Sequence, residues 1–339
     1  MKKLLGAAAA VIALAGSTAL AQDAPVTLRL SHFVPPTHPQ HLALVAWGDS
    51  VKAASNGTIT VQVYPSEQLG KAFDQYDMAR DGIADVAEVN PGYQPGRFPL
   101  SAAAELPYTI SDGKRGSVAV DEWYRKYADK EMKDVHFCMA FLRTNAYFQS
   151  KTKPIVVPAD IKGMRVRPSD GTIAALVSLL GGTNVQASAP ASRDVLERGV
   201  ADATVFPWGS TILFGIDKVV KYHLDMPTEM GFFSLVINKA KYESLSANQK
   251  KVIDAHCNND WVGKLNDTWV DFEESGLPKI AAEPGHVVTK PTPEQVELWK
   301  DAAKPLTEQW RTAAAKAGFD TNAALSELQA SLAKHNAKF

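Results

Sequence analysis

Short apolar runs separated by amphipathic stretches set the pattern of the first two thirds of the chain. Val26–Ser31 alternates with a period of two and predicts a strand. From Pro39 to about Ser55 the apolar positions recur at helical spacing, with Thr37 or His38 near the cap. Asn56-Gly57 marks a turn into a second alternating strand, Thr58–Tyr64. The unit then repeats. Ala72–Asp81 reads as helix, Gly82 ends it, and Ala84–Val89 is a buried strand that delivers Asn90, Pro91 and Tyr93 into a loop.

The same logic runs through the middle of the chain. Strands are expected at Val135–Leu142, Ala146–Ser150 and Met164–Val166. A helix follows at Thr172–Leu180, stopped by Gly181-Gly182, and a strand at Asn184–Ala187. A helix over Ala191–Arg198 precedes a short buried strand, Ala201–Val205, which ends in Phe206-Pro207-Trp208. Phe232–Asn238 is again strand-like. Strands alternating with helices build an α/β sheet with crossover connections, and their number suits two lobes. From Ala247 to Glu274 the residues Ile253, Cys257, Trp261, Leu265, Trp269 and Phe272 keep near i+4 spacing. That predicts one long helix of roughly 40 Å at about 1.5 Å per residue, enough to lie across both lobes. After the break at Pro291–Pro293, terminal helix carries Val296, Trp299 and Trp310 and continues to Lys338.

The first 21 residues stand apart. Lys2 and Lys3, an apolar stretch from Leu4 to Leu20, and small residues at Ala19 and Ala21 are the three parts of a cleavable export signal. Cleavage after Ala21 would leave 318 of 339 residues, with 34 basic against 37 acidic side chains once Lys2 and Lys3 are gone, and would place the protein in the periplasm. This balance has no basic patch for nucleic acid and no lysine-rich amphipathic face for a membrane surface, so the expected partner is a small molecule or another protein.

Candidate chemistry is sparse. The chain has no G-x-S-x-G, H-E-x-x-H, C-x-x-C or G-x-x-x-x-G-K-[ST] motif, and no cofactor is expected. His32, His38 and His41 come nearest to a metal site. Their spacing is irregular and Pro35, Pro36 and Pro39 fix the backbone around them, which points to a shaped loop and helix start instead. Cys138 and Cys257 could pair in an oxidising compartment. The apolar run around Cys138 and the helical pattern around Cys257 favour two buried free thiols.

The segment Asp160-Ile161-Lys162-Gly163-Met164-Arg165-Val166-Arg167-Pro168, continued by Gly181-Gly182, Leu196, Gly199, Val200 and Asp202, resembles the solute-binding proteins of tripartite ATP-independent periplasmic (TRAP) transporters, the DctP family. Tyr64-Pro65-Ser66-Glu67-Gln68-Leu69-Gly70, Glu105-Leu106-Pro107-Tyr108, Leu235-Val236-Ile237-Asn238, Trp299 and Trp310 agree with it. The resemblance implies a two-lobed periplasmic binding protein fold, a long helix bridging the lobes, and an organic acid held in the cleft for delivery to a membrane permease. After the export segment 1–21, lobe I is expected at 22–145 with 232–273, and lobe II at 146–231 with 274–339, in a monomer that is not an enzyme.

The family's signature arginine falls at Arg167. A guanidinium offers two parallel N–H donors matched to a carboxylate, a geometry lysine cannot copy. Where the family commonly has Q-E-N-P, this chain has Thr204-Val205-Phe206-Pro207, so Phe206 stands where an asparagine usually meets ligand. Other family pocket positions align with Phe33, Asn90, Tyr93 and Phe232. Trp208 lies nearby, and a second arginine of some members falls near Ala146, beside Tyr147. One anchoring arginine among aromatic rings suits an aromatic monocarboxylate such as a hydroxybenzoate or hydroxycinnamate. Sugar acids and dicarboxylates would bury hydroxyls or a second charge without partners. The alternatives are a short 2-oxo or 2-hydroxy acid, a sulfonate, or, in another class, a periplasmic hydrolase or a metal-binding protein.

Overall fold

A computed structural model describes residues 23–339. The expected export segment, 1–21, lies outside the described residues. The strands are β1 (Val26–Ser31), β2 (Ile59–Tyr64), β3 (Val86–Val89), β4 (Val135–Ser150), β5 (Arg165–Arg167), β6 (Thr183–Asn184), β7 (Ala203–Phe206), β8 (Tyr222–Leu224), β9 (Glu229–Asn238) and β10 (Val287–Thr289). Eight of them lie side by side in the order β2-β1-β3-β9-β4-β7-β5-β6, while β8 pairs with β4 and with β10. β1 runs parallel to β2 and β3, and β5 parallel to β6 and β7. The antiparallel pair β9 and β4 joins these two parallel halves. Every residue of β3, β7 and β9 is buried, as expected for strands covered on both faces.

β4 is the spine of this arrangement. The sequence suggests two strands because Arg143-Thr144-Asn145 interrupts the apolar run, yet the strand is continuous over 16 residues. Its pairing with β9 shifts register between Phe137 and Met139 and again between Leu142 and Asn145. Such bulges bend a strand and re-aim a side chain without ending the ladder. The edge of β4 turned away from β9 is closed by the helix Gly113–Tyr124, which the apolar pattern does not reveal. Ser117 Oγ accepts the Leu142 N–H at 2.9 Å, Asp121 Oδ1 accepts the Ala140 N–H at 2.7 Å, and the Arg125 guanidinium donates to the Cys138 carbonyl at 2.8 Å. These polar residues satisfy an open sheet edge.

The long helix is not continuous. Ala247–Ala255 and Asn259–Glu274 are separate helices, because Asn258 turns extended and caps the second one, its side chain accepting the Trp261 N–H. The second helix packs on the helices Pro39–Ala54, Gly113–Tyr124 and Trp208–Leu213, so it still reaches both halves of the sheet. Smaller differences occur at element ends. Ala72–Asp81 divides into a 3-10 turn and the helix Gln75–Arg80, and the strand expected at Asn184–Ala187 is the two-residue β6. The terminal helices Pro293–Lys316 and Thr321–Lys334 are pinned by indoles: Trp299 donates to the Val156 carbonyl, and Trp123 to the Ala324 carbonyl, each at 2.9 Å.

The break between the two helices also holds a covalent tie. Cys138 and Cys257 form a disulfide across a separation of 119 residues, which corrects the expectation of two free thiols. Both sulfurs are buried as the apolar neighbours imply; the sequence lacks any sign that the helix junction comes to rest against β4. Closing so long a loop restricts the unfolded chain, so the Cys138→Ala/Cys257→Ala variant is expected to lose about 2–4 kcal/mol of stability. Urea denaturation with and without reductant checks this: equal midpoints for the oxidised and reduced wild type would contradict it.

Candidate functional site

The carboxyl ends of two pairs of parallel strands, one pair from each half of the sheet, open on one cavity. β1 leads to Phe33, β3 to Asn90 and the turn carrying Tyr93, β5 ends at Arg167, and β7 ends at Phe206. Strand ends of a parallel sheet are where the chain leaves its backbone ladder and side chains become free to meet a ligand.

Arg167 is the centre of the cavity. It is 2% exposed, and its guanidinium lies 5.3 Å from the Phe206 ring centre. Nε donates to the Ala187 carbonyl at 2.9 Å, Nη1 to the Val205 carbonyl at 3.5 Å and Nη2 to the Tyr93 hydroxyl at 3.2 Å. All three partners are neutral, and among the described residues no carboxylate forms an ion pair with it. Burial pulls its pKa below the ordinary arginine value; Tyr93 opposes the shift and Arg143 adds to it. The Tyr93 hydroxyl also accepts the Ala189 N–H at 2.9 Å. With both lone pairs engaged, its own proton is free to be donated into the cavity.

The walls are apolar. Phe33, Val34, Val205, Phe206, Phe214, Phe233 and Trp269 line the cavity, and Phe33 lies 5.8 Å from the Tyr93 ring and 6.2 Å from the Phe233 ring. His38 contributes a neutral edge. Its Nδ1 accepts the Gln40 N–H as cap of the helix Pro39–Ala54, and its Nε2 meets the Ser210 hydroxyl at 3.3 Å. Burial lowers its pKa to about 3. His32 and His41 bond to each other at 2.9 Å, so the three histidines divide between two tasks.

A second arginine enters the same cavity from the β4 bulge. Arg143 is 6% exposed, and its Nη2 pairs with Glu229 Oε1 and, at 3.4 Å, with Asp170 Oδ2. Burial alone would lower its pKa; Glu229 and Asp170 outweigh that and raise it. Ser169 Oγ lies 2.8 Å from Asp170 Oδ2 and 2.7 Å from Glu229 Oε1. Burial pushes Glu229 up to about 8, with Arg143 opposing and Asp170 reinforcing. Behind them Glu105 accepts the Phe232 N–H and the Thr172 hydroxyl, each at 3.3 Å, and burial holds its pKa well above the carboxylate range. The cavity therefore holds one compensated arginine and one uncompensated one.

A model of the bacterial extracellular solute-binding protein family 7, DctP, matches residues 30–313. The chain belongs to the DctP family. Similar solved structures are TRAP solute-binding proteins. One, from a marine metagenome, is specific for aromatic acid ligands and was crystallised with 3-hydroxybenzoate; it is 29% identical, with TM-score 0.85, covering 92% of this chain and 99% of that one. Another, from Rhodoferax ferrireducens, holds copurified benzoate at 27% identity and TM-score 0.85, covering 92% and 98%. A third, from Bordetella bronchiseptica, holds (R)- and (S)-mandelate at 26% identity and TM-score 0.84, covering 91% and 99%.

Within this DctP-family chain, Arg167, Phe206, Tyr93, Asn90 and Phe33 come together on one cavity, whereas Phe232, Trp208 and Tyr147 do not line it. Successive residues of a strand face opposite ways, so Phe232 turns from the cavity to stack edge-on with Tyr124 at 4.8 Å, and its neighbour Phe233 takes the inward place. Tyr147 and Trp208 stack on each other at 4.5 Å outside it. Arg143 is the polar group that sequence reasoning missed, three residues before the expected position near Ala146. A lone arginine within an apolar strand is the signal that could have found it.

Geometry of this kind holds a carboxylate by a two-point guanidinium contact. Arg167→Lys is expected to weaken carboxylate binding at least tenfold, about 1.4 kcal/mol, because the charge stays and the fork is lost. Calorimetric titration checks this, and unchanged affinity would remove Arg167 from the contact.

Proposed function

We propose that this chain is the extracytoplasmic solute-binding subunit of a TRAP transporter, that it captures an aromatic monocarboxylate, and that it passes this ligand to a membrane permease. It acts in the periplasm as a monomer and performs no catalysis. Its lobes, 22–145 with 232–273 and 146–231 with 274–339, close on the ligand. Among the described residues no helix is long and apolar enough to cross a membrane.

The observation that carries the reading is the buried, unpaired Arg167 enclosed by aromatic rings. A carboxylate supplies the missing anion, and an attached ring fills the space between Phe33, Phe206 and Phe233. Each Å² of apolar surface removed from water contributes about 25 cal/mol, with edge or offset stacking in addition. A sugar acid would bring several hydroxyls against phenyl walls, each costing about 1–3 kcal/mol when left without a partner. Asn90 Oδ1 is buried and lacks a partner, which supports a ring hydroxyl as its donor and hence hydroxybenzoates over benzoate. The benzoate, 3-hydroxybenzoate and mandelate held by the similar structures support the same class.

Thermal unfolding across an acid library tests the proposal. At a hundredfold excess over Kd a specific ligand stabilises by about 2.7 kcal/mol, so benzoate and hydroxybenzoates are expected to raise Tm by several degrees. Succinate and glucuronate are expected to leave it unchanged. A shift with either of these and none with any aromatic acid would contradict the reading.

A further inference from the structure

Arg143 raises a question of charge. It lines the same cavity as Arg167, close enough for the two guanidiniums to repel. Two free arginines would make a site for a dianion. We propose that Glu229 and Asp170 set the charge of the accepted ligand: by neutralising Arg143 they leave Arg167 as the single free cation, so the cavity matches a monoanion and rejects a dianion. The inference rests on the reading of the cavity as an organic-acid site.

Geometry holds the filter in place. A Cβ at residue 231 would lie 2.5 Å from Arg143 Nε and 3.0 Å from its Cζ, so the guanidinium occupies the space that Gly231 leaves open and reaches Glu229 from there. Asp170 is fixed as the cap of the helix Gly171–Leu179, its other oxygen accepting the Ile173 N–H at 2.9 Å. Ser169 sets the proton count. Its hydroxyl has one hydrogen but lies within hydrogen-bond reach of a carboxyl oxygen on both Asp170 and Glu229. A single proton held by the carboxyl pair satisfies both contacts, and the burial that raises Glu229 to about 8 favours it. One of the two acids is then neutral and the other offsets Arg143, leaving the group without net charge. Burial raises the Glu105 pKa as well.

The remaining charge is the +1 of Arg167, which a single carboxylate cancels. A second carboxylate on the ligand would find no second free cation, only the paired Arg143 and nearby acid oxygens, and an unpaired charge buried there is strongly opposed. Glu229 and Asp170 therefore act on ligand choice through Arg143 rather than by touching the ligand.

The test compares benzoate with the three benzenedicarboxylates by calorimetric titration. Wild type is expected to favour benzoate over each dicarboxylate at least a hundredfold. Removing either acid alone leaves the other to pair Arg143, so the informative variant is Asp170→Asn/Glu229→Gln, in which Asn keeps the helix cap. At least one dicarboxylate is expected to gain tenfold or more relative to benzoate, and adding Arg143→Gln is expected to abolish that gain. If the double variant fails to fold, Asp170→Ser/Glu229→Gln replaces it. Wild type that takes a dicarboxylate as tightly as benzoate overturns the proposal, as does an unchanged ratio in a variant that folds and still binds benzoate. Wild type that binds no aromatic acid overturns the underlying reading, and this proposal with it.

Discussion

A guanidinium buried without a counter-charge is the constraint around which this molecule is arranged. Taking an ion out of water is costly, and interiors accept one only when its charge is met. Arg167 is met by two carbonyls and a phenol, which take three of its five hydrogens and leave its charge. An arriving anion completes an ion pair that the fold itself leaves half-made. Part of the protein's stability is thus deferred to ligand binding, as expected where function requires a site that the apo chain does not satisfy. Arg143 shows the contrast within the same cavity: two acids and a serine compensate it, so it contributes shape without demanding a ligand.

The sheet explains why that charge can be held so deep. Arg167, Phe206, Asn90 and Phe33 sit at or just beyond the carboxyl ends of parallel strands, and each strand is anchored by its neighbours. β4 and β9 carry the connection between the two halves, and the bulge that admits Arg143 lies in β4 itself. Asp170, Glu229 and Glu105 come from three different elements, so the acids behind the cavity tie it to both halves of the sheet. The helix Asn259–Glu274 closes the far wall: Trp269 faces the cavity and donates to Glu273 at 2.9 Å, and Glu273 in turn accepts the Ser210 N–H at 2.7 Å.

Local chemistry made much of this legible in the chain. Alternation located β1 and β2, and short apolar runs β3 and β7, to within a few residues, and the motif around Arg167 pointed to the arginine that the cavity buries. What escaped depends on contacts distant in sequence. The apolar pattern cannot tell Phe232 from Phe233, since both are buried and only the pleat of β9 decides which faces the cavity. A bulge let Arg143-Thr144-Asn145 pass for a break between strands. Ser117 and Asp121 gave no sign of their role because the sheet edge they close is more than ten residues away. The disulfide depended on where the chain turns at Asn258, which spacing alone does not disclose.

The most direct measurement of the central claim is a crystal structure of the complex with benzoate. The account predicts the carboxylate on the Arg167 guanidinium at about 2.7–2.9 Å through two N–H donors, with the ring among Phe33, Phe206 and Phe233. A carboxylate seated on Arg143 in place of Glu229, or bound anywhere that leaves Arg167 with only its carbonyl and tyrosine partners, would contradict it.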